Sequence, residues 1–492
     1  MTNTGLQLSA LTSSRRWLRW LLLAWLSLHP LLSLHAQPAA RNRLIVLTDI
    51  EADPDDTESM VRLMLYSNDI DIEGLIATTS CWKRSSVAPE SIQRVIAAYA
   101  KVQPNLKKHD PGYPDPATLL AKVKAGIPKY GMEGVGDGRD SEGSDWIIKV
   151  LEKNDDRPVW VSVWGGANTL AQALYKLEKT KPPAEFARLL GKLRVYTISD
   201  QDDSGAWMRK EYPKLFFIVS PGDDYGSATW SAINSVVDGI NNERISNRWL
   251  AENIQQNHGP LGAVYPDVSY GMEGDTPSWL NLIPNGLSNP EHPEWGGWGG
   301  RYELHKPDFD PNRKGGSGVP HEPEVRAIWT DAVDELAPYG PGEFGRAVKP
   351  ANKTFTGNKV TLWRWRDDFQ NDFAARMAWC TKPVSEANHP PVPVLGNAEN
   401  LTVHSGEGFG LDAAGTTDPD GDSLSFLWFH YPEAGTYATP IRIDSAENGH
   451  GVYVKAPLVD KPETAHFILK VTDKGNPPLS RYRRVIVTIL PK

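Results

Sequence analysis

Apolar runs rich in β-branched residues alternate with helix-period segments through the first two-thirds of this chain, and that alternation limits its architecture more than any other feature. Residues 44–47 read as a buried strand, 57–66 as a helix with Met60, Val61, Met64 and Leu65 on one face, 72–77 as a second strand and 91–99 as a second helix. The pattern continues with helices over 146–151 and 170–177 and strands over 159–163, 193–198 and 215–219. Strands that alternate with helices pair in parallel through right-handed crossovers. The expected class is therefore α/β, a mostly parallel sheet flanked by helices. At 492 residues the chain exceeds one ordinary core, so more than one domain is expected.

The texture changes twice. From about 259 to 345 proline, glycine and tryptophan are dense and few segments keep a period, as in functional loops. A last apolar segment, 373–379, closes an α/β domain expected over 37–383. Repeated prolines over 384–394 predict a stiff extended linker. Beyond it, short strands at 401–403, 424–429, 452–454, 467–471 and 485–490, set off by turn residues, predict an all-β, immunoglobulin-like sandwich over 395–492.

The first 36 residues form an address. Arg15, Arg16 and Arg19 precede a short apolar run that ends at the small residue Ala36, the pattern of a signal peptide cleaved near Ala36. The run is shorter than a bilayer-spanning helix needs, so no stable membrane anchor is expected. A secreted or periplasmic location follows. Acidic residues outnumber basic ones by 61 to 52, which argues against a nucleic-acid partner. Cys81 and Cys380 could form one bridge, and the sequence leaves their pairing open.

The chemistry concentrates in Thr48-Asp49-Ile50-Glu51-Ala52-Asp53-Pro54-Asp55-Asp56, directly after the first strand and before the first helix. In an open α/β sheet that crevice is where ligands bind. Asp55 and Asp56 also suit a helix start, where free N–H groups favour negative charge. Capping does not account for Asp49, Glu51 and Asp53. So many like charges conflict unless a cation is present, and a hard ion with oxygen ligands, calcium above all, would resolve the conflict; the alternative is a solvated acidic loop.

This stretch resembles the signature of nucleoside hydrolases, an aspartate-rich loop (Asp-x-Asp-Pro-Gly-x-Asp-Asp) that holds a calcium ion. Asp49 matches its first aspartate, Glu51 falls at the second, and Asp55 and Asp56 match the terminal pair. Residues 72–79 resemble the family's second strand. Trp164-Gly165-Gly166-Ala167-Asn168-Thr169-Leu170-Ala171 resembles the turn whose backbone carbonyl reaches the metal, at Asn168. Met272-Glu273-Gly274-Asp275-Thr276 resembles the late segment that completes the shell, with Asp275. Longer matches, Glu-Gly-Leu-Ile-Ala-Thr-Thr-Ser and Gly-Gly-Trp-Gly-Gly-Arg-Tyr among them, resemble a secreted bacterial family of cellulose-binding proteins with a nucleoside hydrolase-like domain and a C-terminal β domain.

The resemblance implies a calcium-dependent hydrolase of glycosidic, N-glycosyl bonds. Asp49, Glu51, Asp56, Asn168 and Asp275 would ligate calcium, Glu51 would double as base, and Asp55 would touch the sugar diol. Two departures point the other way: Gly274 stands where purine-type enzymes carry a histidine, and Ser80-Cys81-Trp82 replaces a Gly-Asn. They favour the alternative, a non-catalytic protein that holds cellulose or a related cell-wall glycan.

Three further segments bear on ligands. Gln201 and Asp202, in an acidic loop after the strand that ends near Ser199, are candidates for sugar hydrogen bonds, with Trp207 as a wall. Trp295 and Trp298, on a glycine-rich backbone, read either as a substrate wall or as plugs of a loop-rich core. Asp418-Pro419-Asp420-Gly421-Asp422 reads as an Asx-type turn in preference to a calcium loop.

Overall fold

Eight strands make the main sheet of the computed structural model: β1 (Asn42–Thr48), β2 (Ile70–Ala77), β3 (Val123–Ala125), β4 (Val159–Val163), β5 (Leu193–Thr197), β6 (Phe216–Val219), β7 (Tyr302–His305) and β8 (Ile328–Asp331). Their order is β3-β2-β1-β4-β5-β6-β8-β7, parallel throughout except for the antiparallel edge pair β7–β8. The expected mostly parallel α/β sheet is what the chain forms. The structure describes residues 40–222, 224–309, 317–320, 322–337, 353–444, 446 and 449–492, so the expected leader over 1–36 lies outside the described residues.

Period-two sorting along β1 explains why the sheet is covered on both faces. Leu44 and Val46 join a core layer with helices α1 (Asp55–Leu65) and α2 (Pro89–His109). Ile45 and Leu47 join the opposite layer with α3 (Glu142–Leu151) and α4 (Asn168–Thr180). All four are fully buried. Helix α2 runs well beyond the expected 91–99, through Pro104 to His109, because Val102 and Leu106 continue its buried face. In the loop-rich stretch β7 and β8 escaped the sequence reading, since each is only four residues long and mixes polar with apolar residues.

The C-terminal part is all-β. One sheet has β11 (Asn400–His404), β17 (Ser480–Leu490), β16 (Glu463–Asp473) and β13 (Leu424–His430) in that order; the other has β12 (Gly408–Asp412), β15 (Gly451–Lys455) and β14 (Ile443–Asp444). A minor two-stranded ribbon, β9 (Asp334–Leu336) with β10 (Phe355–Gly357), precedes the last helix of the α/β part in sequence. The sandwich packs directly on the α/β part. Tyr482 is fully buried, and its hydroxyl donates to Asp368 of helix α5 (Arg366–Ala378), which also holds Lys470 at 2.7 Å. Arg481 pairs with Asp372 at 2.8 Å, and Tyr431 donates to Asp334 at 2.6 Å. In the proline-rich stretch the His389 ring stacks on Trp379 and on His109 of α2. Cys81 and Cys380 are buried free thiols, and no helix of the described residues is long and apolar enough to cross a membrane.

Candidate functional site

The carboxylates are gathered by the ends of β1, β4 and β5, by the start of α1 and by one late loop. At the end of β1, Thr48 donates its hydroxyl to Asp56 and accepts the N–H of Ile50 at 3.1 Å. A turn closed by the Ala52 N–H on the Asp49 carbonyl, 3.0 Å, then reverses the chain through Glu51, which adopts φ +83°. That reversal sets Asp49 and Asp53 toward the first turn of α1, where Asp55 and Asp56 stand. Ligand oxygens of Asp53, Asp55 and Asp56 lie within 4.8 Å of one another. From β4, Gly165 passes so near that a β-carbon there would stand 2.6 Å from an Asp49 carboxylate oxygen.

Asp275 arrives from more than two hundred residues away in sequence. Its loop is held by α1 itself: Arg62 pairs with Glu273 at 2.5 Å, and a Glu58 carboxylate oxygen accepts the Glu273 N–H at 2.8 Å. Tyr265 and Thr276 donate to the same Glu273 carboxylate at 2.8 and 3.0 Å. Thus the helix that presents Asp55 and Asp56 also fixes the loop that presents Asp275.

The result is a hollow of about 50 Å³ lined by Asp49, Asp53, Asp55, Asp56 and Asp275, with Gln201 and a rim of Trp82, Trp164, Tyr225 and Trp230. No basic side chain is among the described residues lining it. Burial, offset in part by a Ser80 hydrogen bond, pushes the Asp49 carboxyl up to about 7. Burial and then the charges of Asp55, Asp56, Asp53 and Asp49 hold Asp275 well above the usual carboxylate range. Asp275 is buried, and its Oδ2 has no hydrogen-bond donor. An all-oxygen, carboxylate-rich pocket with an orphaned buried oxygen fits a hard cation such as calcium.

Several expected site residues stand elsewhere. The Glu51 carboxylate turns out of the hollow to Lys83 at 3.1 Å, Arg94 at 2.9 Å and the Ser91 hydroxyl, which together hold it down to about 2. The positive φ that closes the loop aims this side chain outward, and Asp53 takes the inward place expected of Glu51. Asn168, expected to offer its backbone carbonyl, is not among the residues lining the hollow; it is fully buried, with its side-chain amide committed to Thr78, Thr79 and the Lys129 carbonyl. Asp202 accepts the N–H of Ser204 at 2.9 Å and of Asn168 at 3.2 Å, so it serves two helix starts rather than a ligand. Trp207 packs edge-on to Tyr212 in the core layer beneath.

The tryptophan wall is also corrected. Trp298 is fully buried, edge-on to Phe369 and Tyr482. Trp295 stacks on His292 with centroids 4.0 Å apart and meets His466 of the sandwich. Both seat the β part on the α/β part, because large rings at a loop-rich junction bury the most area. The rim residues the sequence reading passed over were signalled by position: Trp82, Trp164, Tyr225 and Trp230 all follow C-terminal ends of parallel strands, where ligands of such sheets bind.

Comparison with known proteins agrees with this anatomy. The family model for the nucleoside hydrolase-like domain of cellulose-binding Sde182 matches residues 43–302, and that for the C-terminal domain of cellulose-binding protein Sde0182 matches residues 408–489. The chain is similar to a nucleoside hydrolase-related protein from Saccharophagus degradans that is associated with carbohydrate metabolism. The two are 36% identical over 92% of this chain and 100% of that one, with a TM-score of 0.75. The type III effector XopQ, solved with adenosine diphosphate ribose, is 14% identical over 56% of this chain and 87% of its own, and the PKD domain of KIAA 1837 is 22% identical over 20% and 88%. Their TM-scores of 0.26 and 0.15 carry no argument. No curated protein matches.

Proposed function

We propose, from the premise that this chain belongs to the family of cellulose-binding proteins with a nucleoside hydrolase-like domain, that its hollow is a calcium-dependent site for hydrolysis of a glycosidic bond. The observation that carries the reading is the meeting of Asp275 with Asp49, Asp53, Asp55 and Asp56 in one pocket, with no basic side chain among the described residues that line it. Asp49, Asp56 and Asp275 would hold the ion, with Asp53 in place of Glu51. When bound, calcium supplies charge compensation, a water of lowered pKa and an anchor for sugar hydroxyls. The chain's own groups do the rest. Asp53, partly exposed and clustered with Asp55 and Asp56, takes the proton from the attacking water. Asp55 accepts hydrogen bonds from the sugar diol, and the remaining carboxylates face the cationic sugar that forms as the bond breaks. Trp82, about half exposed, offers its face to the ring. Export with cleavage near Ala36 would deliver this site to a calcium-rich, glycan-bearing environment.

One observation favours the second reading, a glycan-binding protein without turnover. At Gly274, where a leaving-group acid is expected, a β-carbon would stand 2.8 Å from an Asp55 oxygen and 2.9 Å from the Trp230 ring, so a side chain there would displace its neighbours. A substrate that is turned over must then carry a leaving group that departs without that acid. Incubation with p-nitrophenyl riboside, nucleosides and cello-oligosaccharides, with and without chelator, separates the two. Chelator-sensitive release from an activated riboside supports the hydrolase; pull-down on cellulose with no release from any substrate supports the binder.

A further inference from the structure

We propose a second cation site, of calcium type, in the β part, formed by the 418–422 loop together with Asp473 and Asn388. The loop's three carboxylates, Asp418, Asp420 and Asp422, place ligand oxygens within 4.8 Å of one another. Such a cluster alone is accounted for by a turn, and the turn is present: the Asp418 Oδ1 accepts the N–H of Asp420 at 2.9 Å and of Asp422 at 3.0 Å.

What the turn leaves unexplained lies beside it. In the pairing of β13 with β16, Leu424 stands opposite Asp473, which brings that residue against the loop entering β13. Asp473 is fully buried, close enough that the Asp418 charge acts on its carboxyl. Its Oδ1 is saturated by the N–H groups of Gly475 and Leu479 and by the Asn388 amide at 3.1 Å, whereas its Oδ2 has no donor. Asn388, also buried, spends its NH₂ on Asp473 and on the Pro477 carbonyl at 2.8 Å, and its Oδ1 has no donor. The Asp418 Oδ2 is the third buried oxygen without one.

All three orphans are acceptors, and they come from three separate chain segments. Buried acceptors without donors are costly, and water or a cation normally satisfies them. With two of the three on carboxylates and two further carboxylates alongside, a cation satisfies charge as well as geometry. The only basic group among the described residues bonded to the cluster is His389, whose ring meets Asp420 at 2.9 Å. Oxygen-only ligands in an irregular loop suit calcium better than magnesium, which demands near-octahedral order. Asn388 adjoins His389, which stacks on Trp379 and His109, so the ion would brace the junction between the two parts.

The site shares no residue with the hollow and is tested apart from it by calcium titration of the full chain in a calorimeter. The conservative D418N/D422N variant keeps the oxygen that closes the turn. It is expected to bind one calcium fewer than the wild type and to keep the site that D275N abolishes. A folded D418N/D422N protein that binds as many ions as the wild type would overturn the proposal. Should that double variant fail to fold, D422N alone, whose side chain closes no turn, is titrated against the same criterion. If the wild type binds one ion only, its loss in D275N overturns this site and leaves the hollow, while its loss in D418N/D422N does the reverse.

Discussion

Gly274 faces Trp230 with no room for a side chain between them: a β-carbon there would lie 2.9 Å from the indole ring and 2.8 Å from an Asp55 oxygen. Contacts this short force something to move, and both neighbours line the hollow. G274A is therefore expected to weaken calcium binding roughly tenfold or more, because a shifted Asp55 disturbs Asp53 and Asp56, with which it is clustered, at a site where an ångström matters. Calcium titration of G274A beside the wild type checks this.

Arg62 and Glu273 form a fully buried pair, with Glu58 packed against it. Burial first, and then the Glu273 charge, lift the Glu58 carboxyl to about 9, so this group is neutral at pH 7. Removing the arginine alone leaves Glu273 buried and unpaired, a loss of about 3–5 kcal/mol. R62M should show that loss in urea unfolding, and R62M/E273Q should recover part of it.

Glu51 and Asp275 are expected to differ in kind. E51Q removes an exposed pairing with Lys83 and Arg94 and should change stability by no more than about 1 kcal/mol, with calcium binding intact. D275N should abolish binding in the hollow while the chain stays folded. Thermal unfolding with and without calcium reads both outcomes.

The sign of the pH dependence follows from Asp49, whose carboxyl rises from 3.8 to about 7 on burial. A carboxyl with a raised pKa binds more protons in the native state than in the unfolded one. Stability of the metal-free protein then falls as pH rises from about 4 to 7. Calcium should cancel that fall, because it replaces the proton as the compensating charge. Melting temperatures across this range, in chelator and in calcium, should diverge with increasing pH.

The two sets of tryptophans should separate as well. W298A empties a fully buried position and should cost about 3–5 kcal/mol. W82A removes a ring that is about half exposed and should leave stability unchanged while lowering affinity for sugar ligands.

The parallel sheet was legible because its central strands, such as 44–47, are continuous apolar runs buried on both faces, a pattern only that environment selects. The acidic loop was legible because helix capping accounts for only Asp55 and Asp56 of the five carboxylates gathered at a strand end. Glu51 misled for a local reason: its position in the motif matched, but the positive φ there goes with a side chain turned outward, and backbone handedness at a non-glycine residue leaves no mark in composition. Trp295 and Trp298 misled because an exposed platform and an interdomain plug use the same letters. Only the packing of Tyr482 and His466 against them decides.

Diffraction from crystals grown in calcium tests most directly whether carboxylates of the β1–α1 loop and of the Asp275 loop share one ion. An ion peak is expected in the hollow within about 2.3–2.6 Å of oxygens from both Asp56 and Asp275. Crystals saturated with calcium that show no peak between those two residues would contradict it.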